Sequence, residues 1–302
     1  MTAYRRPLRR SCQWLPLMLV WCALWWAPTV RAQWDERVFE GERYVAVDAH
    51  FRKFYQFTNQ SPAGKALVLQ SDKVMMRIAE GSAECTLSRL NATPVKFVFS
   101  HPVRRADGKL FMSVLDLLKL LDPVMRPAAI KNAGRFATVI LDAGHGGGDP
   151  GATNAYGTEA ALNLTVAGLV RQELESPADP RAMRFKVVMT RTSDRFLTLQ
   201  QRVDLANRVR ENAVFVSIHF NSGRSGARGI ETFTLSPPGV AHYGRGKIAA
   251  DALSRPGNVH DAANVALATA VHGMCLVGLG RQNTFDRGIK RARFTVLTGV
   301  RH

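Results

Sequence analysis

The alternation of apolar and polar residues predicts a small α+β module in the first part of the chain. Residues 66–69 and 73–78 form two short apolar runs, and residues 94–99 alternate with the period of a half-buried strand. Ser113 precedes a run with helical spacing and can cap a short helix there. We therefore expect strands followed by a short helix, in a module that spans residues 33–130.

After residue 135 the pattern changes to strands that alternate with helices. Apolar runs predict strands at residues 138–141, 185–189, 214–218 and 230–235, and the start of a last strand at residues 294–297. Helical spacing predicts helices at residues 159–174, 199–210 and 261–276. This order is typical of an α/β domain, so we expect a twisted, mostly parallel sheet flanked by helices over residues 135–302.

Residues 1–32 have the three-part pattern of a signal peptide. A basic segment precedes an apolar run from Trp14 to Trp26, and residues 30–32 have the small-x-small character of a cleavage site. The run is shorter than the about 20 residues that a spanning helix needs, although a retained membrane anchor is the alternative. We therefore expect an exported protein of the periplasm or the extracellular space, with no transmembrane span after cleavage.

The chain is strongly basic. The formal net charge is +17, and loss of the five arginines of residues 1–32 leaves +12 on the mature chain. Such an excess favours a polyanion as a neighbour, and the export pattern favours anionic polymers of a cell envelope over nucleic acid. The basic run at residues 287–293 either faces such a polymer or forms a solvated surface. Only Cys85 and Cys275 follow the signal, so the fold must rest on a hydrophobic core.

Three potential metal ligands fall at the ends of predicted elements. His145 follows the first strand of the α/β domain, Glu159 opens the next helix, and His219 ends the strand at residues 214–218. Because the carboxyl ends of parallel strands gather at one edge of a sheet, we expect these side chains to converge. Two imidazoles and one carboxylate, with a fourth position open for water, form the ligand set of a catalytic zinc ion. Each residue alone has a structural alternative, and their joint placement favours the metal site.

Phrases in the same order along residues 139–290 resemble those of the zinc-dependent N-acetylmuramoyl-L-alanine amidases, a family of bacterial cell-wall enzymes. The matching phrases are VILDAGHGG (139–147), DPGA (149–152), GTE (157–159), TRTSD (190–194), LQQR (199–202), SIHFN (217–221), GIET (229–232) and DRGIK (286–290). The phrase at residues 90–95 loosely resembles the N-terminal domain of copper amine oxidases, which suggests envelope targeting for the module.

The resemblance to the amidases implies both the metal and the reaction. It makes His145, Glu159 and His219 the ligands of Zn²⁺. The implied reaction is hydrolysis of the amide between N-acetylmuramic acid and L-alanine in peptidoglycan, during wall remodelling and cell separation. Peptidoglycan is then the expected partner, an envelope activator protein is a further candidate, and we expect no nucleic-acid partner.

Two further residues are candidates for substrate binding. The planar guanidinium of Arg202, together with Arg191, could hold a substrate carboxylate through a bidentate fork. The alternative for Arg202 is an ion pair with Asp194 that fixes a loop, and the sequence slightly favours this alternative. Asn221, at the end of the SIHFN phrase, is the second candidate.

The catalytic carboxylate of the family is expected beyond the last residue of this chain. In the family a glutamate follows the DRGIK phrase at the end of the next strand but one, whereas here Glu231 is the last glutamate before His302. We therefore expect a domain truncated at its C-terminus, whose catalytic residue is unknown and which binds zinc but hydrolyses peptidoglycan poorly. The rival hypothesis is a non-catalytic, zinc-containing peptidoglycan-binding protein.

Overall fold

Four β-sheets, with helices packed on them, make up the part of the chain that this computed structural model describes, residues 34–89, 93–131, 134–223, 227–280 and 284–302. Trp34–His302 is one compact unit. The predicted signal peptide lies outside the described residues.

The module contains antiparallel strands followed by short helical turns. Its elements are β1 (Glu36–Phe39), β2 (Glu42–Ala46), α1 (Ala49–Phe54), β3 (Asn59–Ala63), β4 (Ala66–Gln70), β5 (Val74–Ala79), β6 (Glu84–Arg89), β7 (Val95–Val98), β8 (Arg104–Ala106), β9 (Lys109–Ser113), α2 (Val114–Asp116), a π-helical turn (Leu117–Leu121) and α3 (Asp122–Met125). Strands β3 to β7 pair in chain order, while β1, β2, β9 and β8 form a separate sheet. The strands predicted in this region are confirmed, and Ser113 caps α2 by accepting a hydrogen bond from Asp116 N.

The second part of the chain alternates strands and helices, and the predicted mixed α/β fold is confirmed. Its elements are β10 (Thr138–Ala143), β11 (Thr153–Asn154), β12 (Gly157–Thr158), α4 (Glu159–Glu175), β13 (Lys186–Met189), α5 (Leu199–Arg208), β14 (Ala213–Ile218), β15 (Ile230–Leu235), α6 (Asp261–Leu279), β16 (Asp286–Ala292) and α7 (Thr295–Gly299).

The parallel strands are divided between two sheets. β10 lies between β13 and β14, and all three run parallel. Ala143 pairs with Ile218, so β10 and β14 end side by side. β15 and β16 also pair in parallel, but Ile289 of β16 pairs with Phe97 of β7, which places both strands in a seven-stranded sheet with the module. The expected mostly parallel sheet is therefore not formed as one unit.

The strand predicted to begin at residues 294–297 is wrong, because this segment enters the helix α7. Val300, just after α7, packs in a cluster with Val203 of α5. Gly299 approaches the same side chain so closely that an added Cβ would lie 2.8 Å from it. Periodicity alone cannot tell whether a four-residue apolar run is a strand or a helix. Here the run is helical and packs near α5.

Side-chain caps start the two helices that flank the parallel sheet. Thr158 Oγ1 accepts a hydrogen bond from Ala161 N at the start of α4, and Thr198 forms a capping box with Gln201 at the start of α5. These caps satisfy backbone N–H groups that the first helical turn leaves without partners. As a result Glu159, the first residue of α4, has a fixed position at the edge of the sheet.

One hydrophobic core joins the module to the second part of the chain. Most of its residues belong to the module, but residues of α6 and Ile289 of β16 also contribute. Beside this core Arg291 forms a buried ion pair with Asp116, whose carboxylate also accepts hydrogen bonds from the backbone N–H groups of Ser100 and His101. Burial raises the pKa of Asp116, but Arg291 and the groups of residues 100 and 101 outweigh it, so the net shift is downward.

The described part of the chain contains one helical segment, Pro256–Leu279, that is long and apolar enough to cross a membrane. This is weak evidence for a span, because the core helix of a soluble protein passes the same test. Val265, Ala268 and Leu276 of this segment are buried in the protein. The expected absence of a transmembrane span stays a prediction.

Replacement of Asp116 by alanine should lower the free energy of unfolding by about 3–5 kcal/mol, because Arg291 would remain buried without its partner. Urea unfolding measures this loss. Asp179→Ala, which removes an exposed ion pair with Arg181, is the control and should cost less than about 1 kcal/mol. Equal losses in the two variants would contradict a coupling role for the buried pair.

The buried pair also predicts a pH dependence. The pKa of Asp116 is lower in the folded chain than in the unfolded chain, where an aspartate titrates near about 3.9. Its stabilising contribution is therefore complete above that pH and is lost as the pH falls below it. The difference in unfolding free energy between wild type and Asp116→Ala should shrink on acidification below about pH 4. A difference that grows in acid would show that the pair has the opposite linkage.

Candidate metal centre

The three predicted metal ligands lie together at the carboxyl edge of the parallel sheet. His145 follows β10, Glu159 begins α4, and His219 follows β14. Nδ1 of His219 lies 2.9 Å from Oε1 of Glu159, and Nε2 of His145 lies 3.4 Å from the same oxygen. One ligand atom from each residue falls within 4.8 Å of the others. The side chains converge as the sequence predicts, and their role as metal ligands stays a prediction.

Two separations in this cluster are close to those expected for a tetrahedral zinc ion. Zinc binds imidazole nitrogen and carboxylate oxygen at about 2.0–2.2 Å, which places two of its ligand atoms about 3.3 Å apart. The distances of 2.9 and 3.4 Å lie on either side of this value. The side chains of His145 and His219 are 25% and 38% exposed, so the cluster has an open side toward solvent.

Hydrogen bonds fix the orientation of the side chains in the cluster. Nδ1 of His145 lies 2.8 Å from a carboxylate oxygen of Asp149, which leaves Nε2 facing Glu159. The two oxygens of Glu159 accept hydrogen bonds from the backbone N–H groups of Phe220 and Ala152. Burial raises the pKa of Glu159, but the Ala152 N–H and the two imidazoles lower it by more. The net shift is downward, which favours the charged form. A carboxylate behind a ligating histidine is a frequent partner in zinc sites, and Asp149 fits this role.

Two glycines allow the loops to approach the cluster. Gly144 lies so close to His219 that an added Cβ would stand 2.3 Å from the imidazole ring. Gly151 has a φ of +65°, and a Cβ there would lie 2.7 Å from His145 and 2.9 Å from Glu159. His145 itself has a φ of 60°, in the left-handed region that residues other than glycine rarely adopt. A side chain at either glycine would therefore displace a candidate ligand.

Arg202 is turned into the protein rather than toward a substrate. It is 3% exposed, forms an ion pair with Asp142 at 2.7 Å, and donates hydrogen bonds to the carbonyl oxygens of Ala143 and His145. This burial does not fit the predicted contact with a substrate carboxylate. The alternative pairing with Asp194 is also wrong, because Arg202 pairs with Asp142, while Asp194 accepts a hydrogen bond from the backbone N–H of Gly147.

Arg191 is fully buried and binds backbone carbonyl groups. Its guanidinium donates to the carbonyl oxygens of Ala143 and Gly144. Burial and the neighbouring charge of Arg202 lower the pKa of this guanidinium. The hypothesis that Arg191 binds a substrate anion is therefore wrong, since the side chain holds the loop that presents His145.

The basic run at residues 287–293 does not form a continuous polyanion-binding stripe or solvated surface, because only Arg287 of its cations is exposed. Lys290 and Arg291 are only 4% and 3% exposed, and Nζ of Lys290 lies 2.6 Å from a carboxylate oxygen of Glu231. Arg287, at the start of the run, is exposed. The reason is that β16 lies inside the seven-stranded sheet, between β15 and β7, which buries cations that the sequence pattern placed at the surface.

Residues 139–302 match the model of a protein family described as N-acetylmuramoyl-L-alanine amidase. The chain belongs to this family. The resemblance seen in the sequence is confirmed, and the matched residues of this amidase-family chain include all three members of the His-Glu-His cluster. Zinc dependence is a general property of the family.

Two curated relatives and one solved structure show how far the similarity extends. The Bacillus subtilis protein YqiI, described as uncharacterized, is 43% identical over 100 residues, which cover 33% of this chain and 45% of YqiI. The amidase AmiC of Neisseria meningitidis is 38% identical over 109 residues, which cover 35% of this chain and 24% of AmiC. The amidase AmiC2 of Nostoc punctiforme, a solved structure, is 30% identical with a TM-score of 0.40, over 56% of this chain and 76% of that one. This chain spans less than half the length of the two curated relatives.

Asn221 lies beside the cluster of this amidase-family chain and contacts a protein carboxylate. Its Nδ2 donates to Oε1 of Glu231 at 3.2 Å, and its side chain is exposed. The other oxygen of Glu231 contacts Lys290 and Arg287. The exposure of Asn221, two residues beyond His219, is compatible with substrate binding, and that role stays a prediction.

Sequence reasoning missed two acidic residues that support the His-Glu-His cluster, Asp142 and Asp149. A carboxylate four residues after a candidate histidine ligand, inside a glycine-rich loop, was the local signal for Asp149. Asp142 has no comparable signal, because its partners come from separate elements and meet it only in the fold. These partners are Thr190, Arg202 and Ser217.

Arg202→Met should lower the free energy of unfolding by about 3–5 kcal/mol, because Asp142 loses its buried cation and the carbonyl oxygen of His145 loses its donor. Arg208→Met, on an exposed position of the same helix, is the matched control and should change it by less than about 0.5 kcal/mol. Urea unfolding of both variants makes the comparison. Unchanged stability together with weaker substrate binding would instead support the role that the sequence first suggested for Arg202.

Proposed function

We propose that this chain is a zinc-dependent N-acetylmuramoyl-L-alanine amidase, which hydrolyses the amide between N-acetylmuramic acid and L-alanine in peptidoglycan. The observation that carries this proposal is the convergence of His145, Glu159 and His219 within the residues that match the family. These three side chains are the proposed ligands of one Zn²⁺. Export to the periplasm or the extracellular space is part of the proposal, and the pattern of residues 1–32 supports it.

The side chains around the cluster prepare it for this chemistry. Asp149 accepts a hydrogen bond from Nδ1 of His145 and so favours the tautomer whose Nε2 is free to face Glu159. A zinc ion held at such a site activates water and polarises a carbonyl group. Backbone N–H groups hold both oxygens of Glu159. The exposed edge of His219 leaves the solvent side open to a polymeric substrate.

Glu231 is the candidate general base if this chain is active by itself. Lys290, Asn221 and Arg287 all bind its carboxylate. Burial raises the pKa of Glu231, but these partners lower it further, which makes the carboxylate a weaker base. This observation favours the second candidate function, a zinc-containing peptidoglycan-binding protein without catalysis.

Peptidoglycan is the proposed partner in both cases. The charge of +12 that remains after loss of residues 1–32 suits anionic polymers of the envelope. Envelope targeting is the proposed role of the module at residues 33–130, and an envelope activator protein is a further proposed partner.

His145→Ala should abolish stoichiometric zinc binding, because it removes one of three protein ligands, and Asp149→Ala should weaken zinc affinity by about 10- to 100-fold. Elemental analysis after dialysis and competition with a chromophoric chelator measure the two effects. His50→Ala, in a ring contact with Trp34 of the module, is the control and should keep one zinc per chain. Full occupancy in His145→Ala would mean that the ligands are wrongly assigned.

Purified sacculi distinguish the two candidate functions. An amidase should release stem peptides when loaded with zinc, and His145→Ala should release none. A binding protein should sediment with sacculi without releasing peptide. Because the Glu231 carboxylate is paired with Lys290, we expect slow release of stem peptides. The rate should be about 10²- to 10⁴-fold lower than that of an enzyme with an unpaired general base. A protein that neither sediments with sacculi nor cleaves them would contradict both functions.

A further inference from the structure

Arg287 occupies an exposed position near the start of β16. Its side chain is 43% exposed, whereas Lys290 and Arg291 of the same strand are buried. The stem of Arg287 packs against Gly229, where an added Cβ would lie 3.1 Å from Cγ of the arginine. This contact holds the stem, so the guanidinium is presented in a defined place.

The charge of Arg287 exceeds what its protein partner neutralises. Its Nε donates to Oε2 of Glu231 at 3.2 Å, and among the described residues its two Nη groups have no hydrogen-bond partner. The same oxygen lies 2.6 Å from Nζ of the buried Lys290, which already balances the charge of Glu231. Two cations therefore share one carboxylate. The guanidinium of Arg228, 4.7 Å from the ring centroid of Phe285, adds a further positive charge nearby.

A short chain of contacts links Arg287 to the candidate metal centre. Glu231, which binds Arg287, also accepts a hydrogen bond from Asn221. Asn221 lies two residues beyond His219, and two residues of extended chain span at most about 7 Å. The guanidinium is therefore connected to the cluster through the hydrogen-bonded side chains of Glu231 and Asn221.

We propose that Arg287 binds a carboxylate on the peptide side of the scissile amide. This inference rests on the proposed function, in which L-alanine follows the cleaved bond. The next residue of a peptidoglycan stem is a glutamate joined through its side chain, and its α-carboxylate is available for recognition. The two Nη groups of a guanidinium match the two oxygens of a carboxylate in a bidentate fork. Arg287 takes the anion-binding role that the sequence suggested for the buried Arg191 and Arg202.

Glu231 does not depend on Arg287 for its counter-ion. Lys290 is closer to Glu231 than Arg287 is, 2.6 against 3.2 Å, and it is buried. Loss of Arg287 should therefore leave Glu231 paired. Loss of a purely structural residue would change the affinities for an acid ligand and its amide by the same factor. Loss of an anion-binding residue would weaken only the binding of the acid.

Two soluble ligands that differ in one group test the proposal. N-acetylmuramoyl-L-alanyl-D-glutamate carries the carboxylate, and N-acetylmuramoyl-L-alanyl-D-isoglutamine carries a carboxamide in its place. Zinc-loaded wild type should bind the acid about 5- to 30-fold more tightly than the amide, the range of a partly exposed charged hydrogen-bond pair. Calorimetry gives the affinities, and the ratio of kcat/KM replaces them if the chain cleaves the ligands.

Three variants read out the preference. Arg287→Gln should bind both ligands alike, and Arg287→Lys should keep part of the preference because it retains the charge but not the fork. Arg181→Gln removes an exposed arginine that pairs with Asp179, and it should match wild type. Circular dichroism checks that each variant is folded, and Arg287→Lys serves as the test if the glutamine variant is not.

The outcomes separate this inference from the proposed function. Equal binding of acid and amide by wild type, or an undiminished preference in Arg287→Gln, would overturn the role of Arg287 and leave the amidase function standing. Binding of neither ligand by zinc-loaded wild type would count against the proposed function itself, and the inference would fall with it.

Discussion

The carbonyl groups at the end of β10 must find hydrogen-bond donors away from water, and two buried arginines supply them. Arg191 donates to Ala143 and Gly144, and Arg202 donates to Ala143 and His145. An unpaired buried carbonyl is costly, so a loop that leaves its strand here needs such donors. The rest of the cluster depends on this arrangement, because it fixes the left-handed turn in which His145 meets the side chains of the neighbouring strand and helix.

The position of the metal ligands was predictable because it follows from local rules. Strand ends and a helix start can be found from periodicity and caps, and the topology of a parallel sheet brings them to one edge. The burial of Arg191 and Arg202 was not predictable in this way, since arginine is mostly a surface residue. No local sequence signal indicates that the carbonyl groups at the end of β10 point inward. The sequence pattern predicted the positions of the candidate ligands, but it gave Arg191 and Arg202 a substrate-binding role that their burial does not fit.

Non-local pairing explains the remaining differences between prediction and structure. The sequence of β16 is that of a basic, exposed segment, yet Ile289 pairs with Phe97 from a region nearly two hundred residues earlier. Asp286 of the same strand accepts a hydrogen bond from the backbone N–H of Lys96 and contacts the buried His272. Such contacts are decided by packing between distant segments, so the strand pattern alone could not place these residues.

The shared sheet has a consequence for how this protein can be recombined. A module with its own closed core can be exchanged between proteins as a cassette, because a cut in the linker exposes little apolar surface. Here β7 of the module is the hydrogen-bonding neighbour of β16, and both contribute to one core. A cut near residue 131 would leave β16 with an open edge available to other chains. A gene fusion that joins at this boundary would therefore contain an unpaired strand edge. A fusion that keeps the strand paired has to include β7.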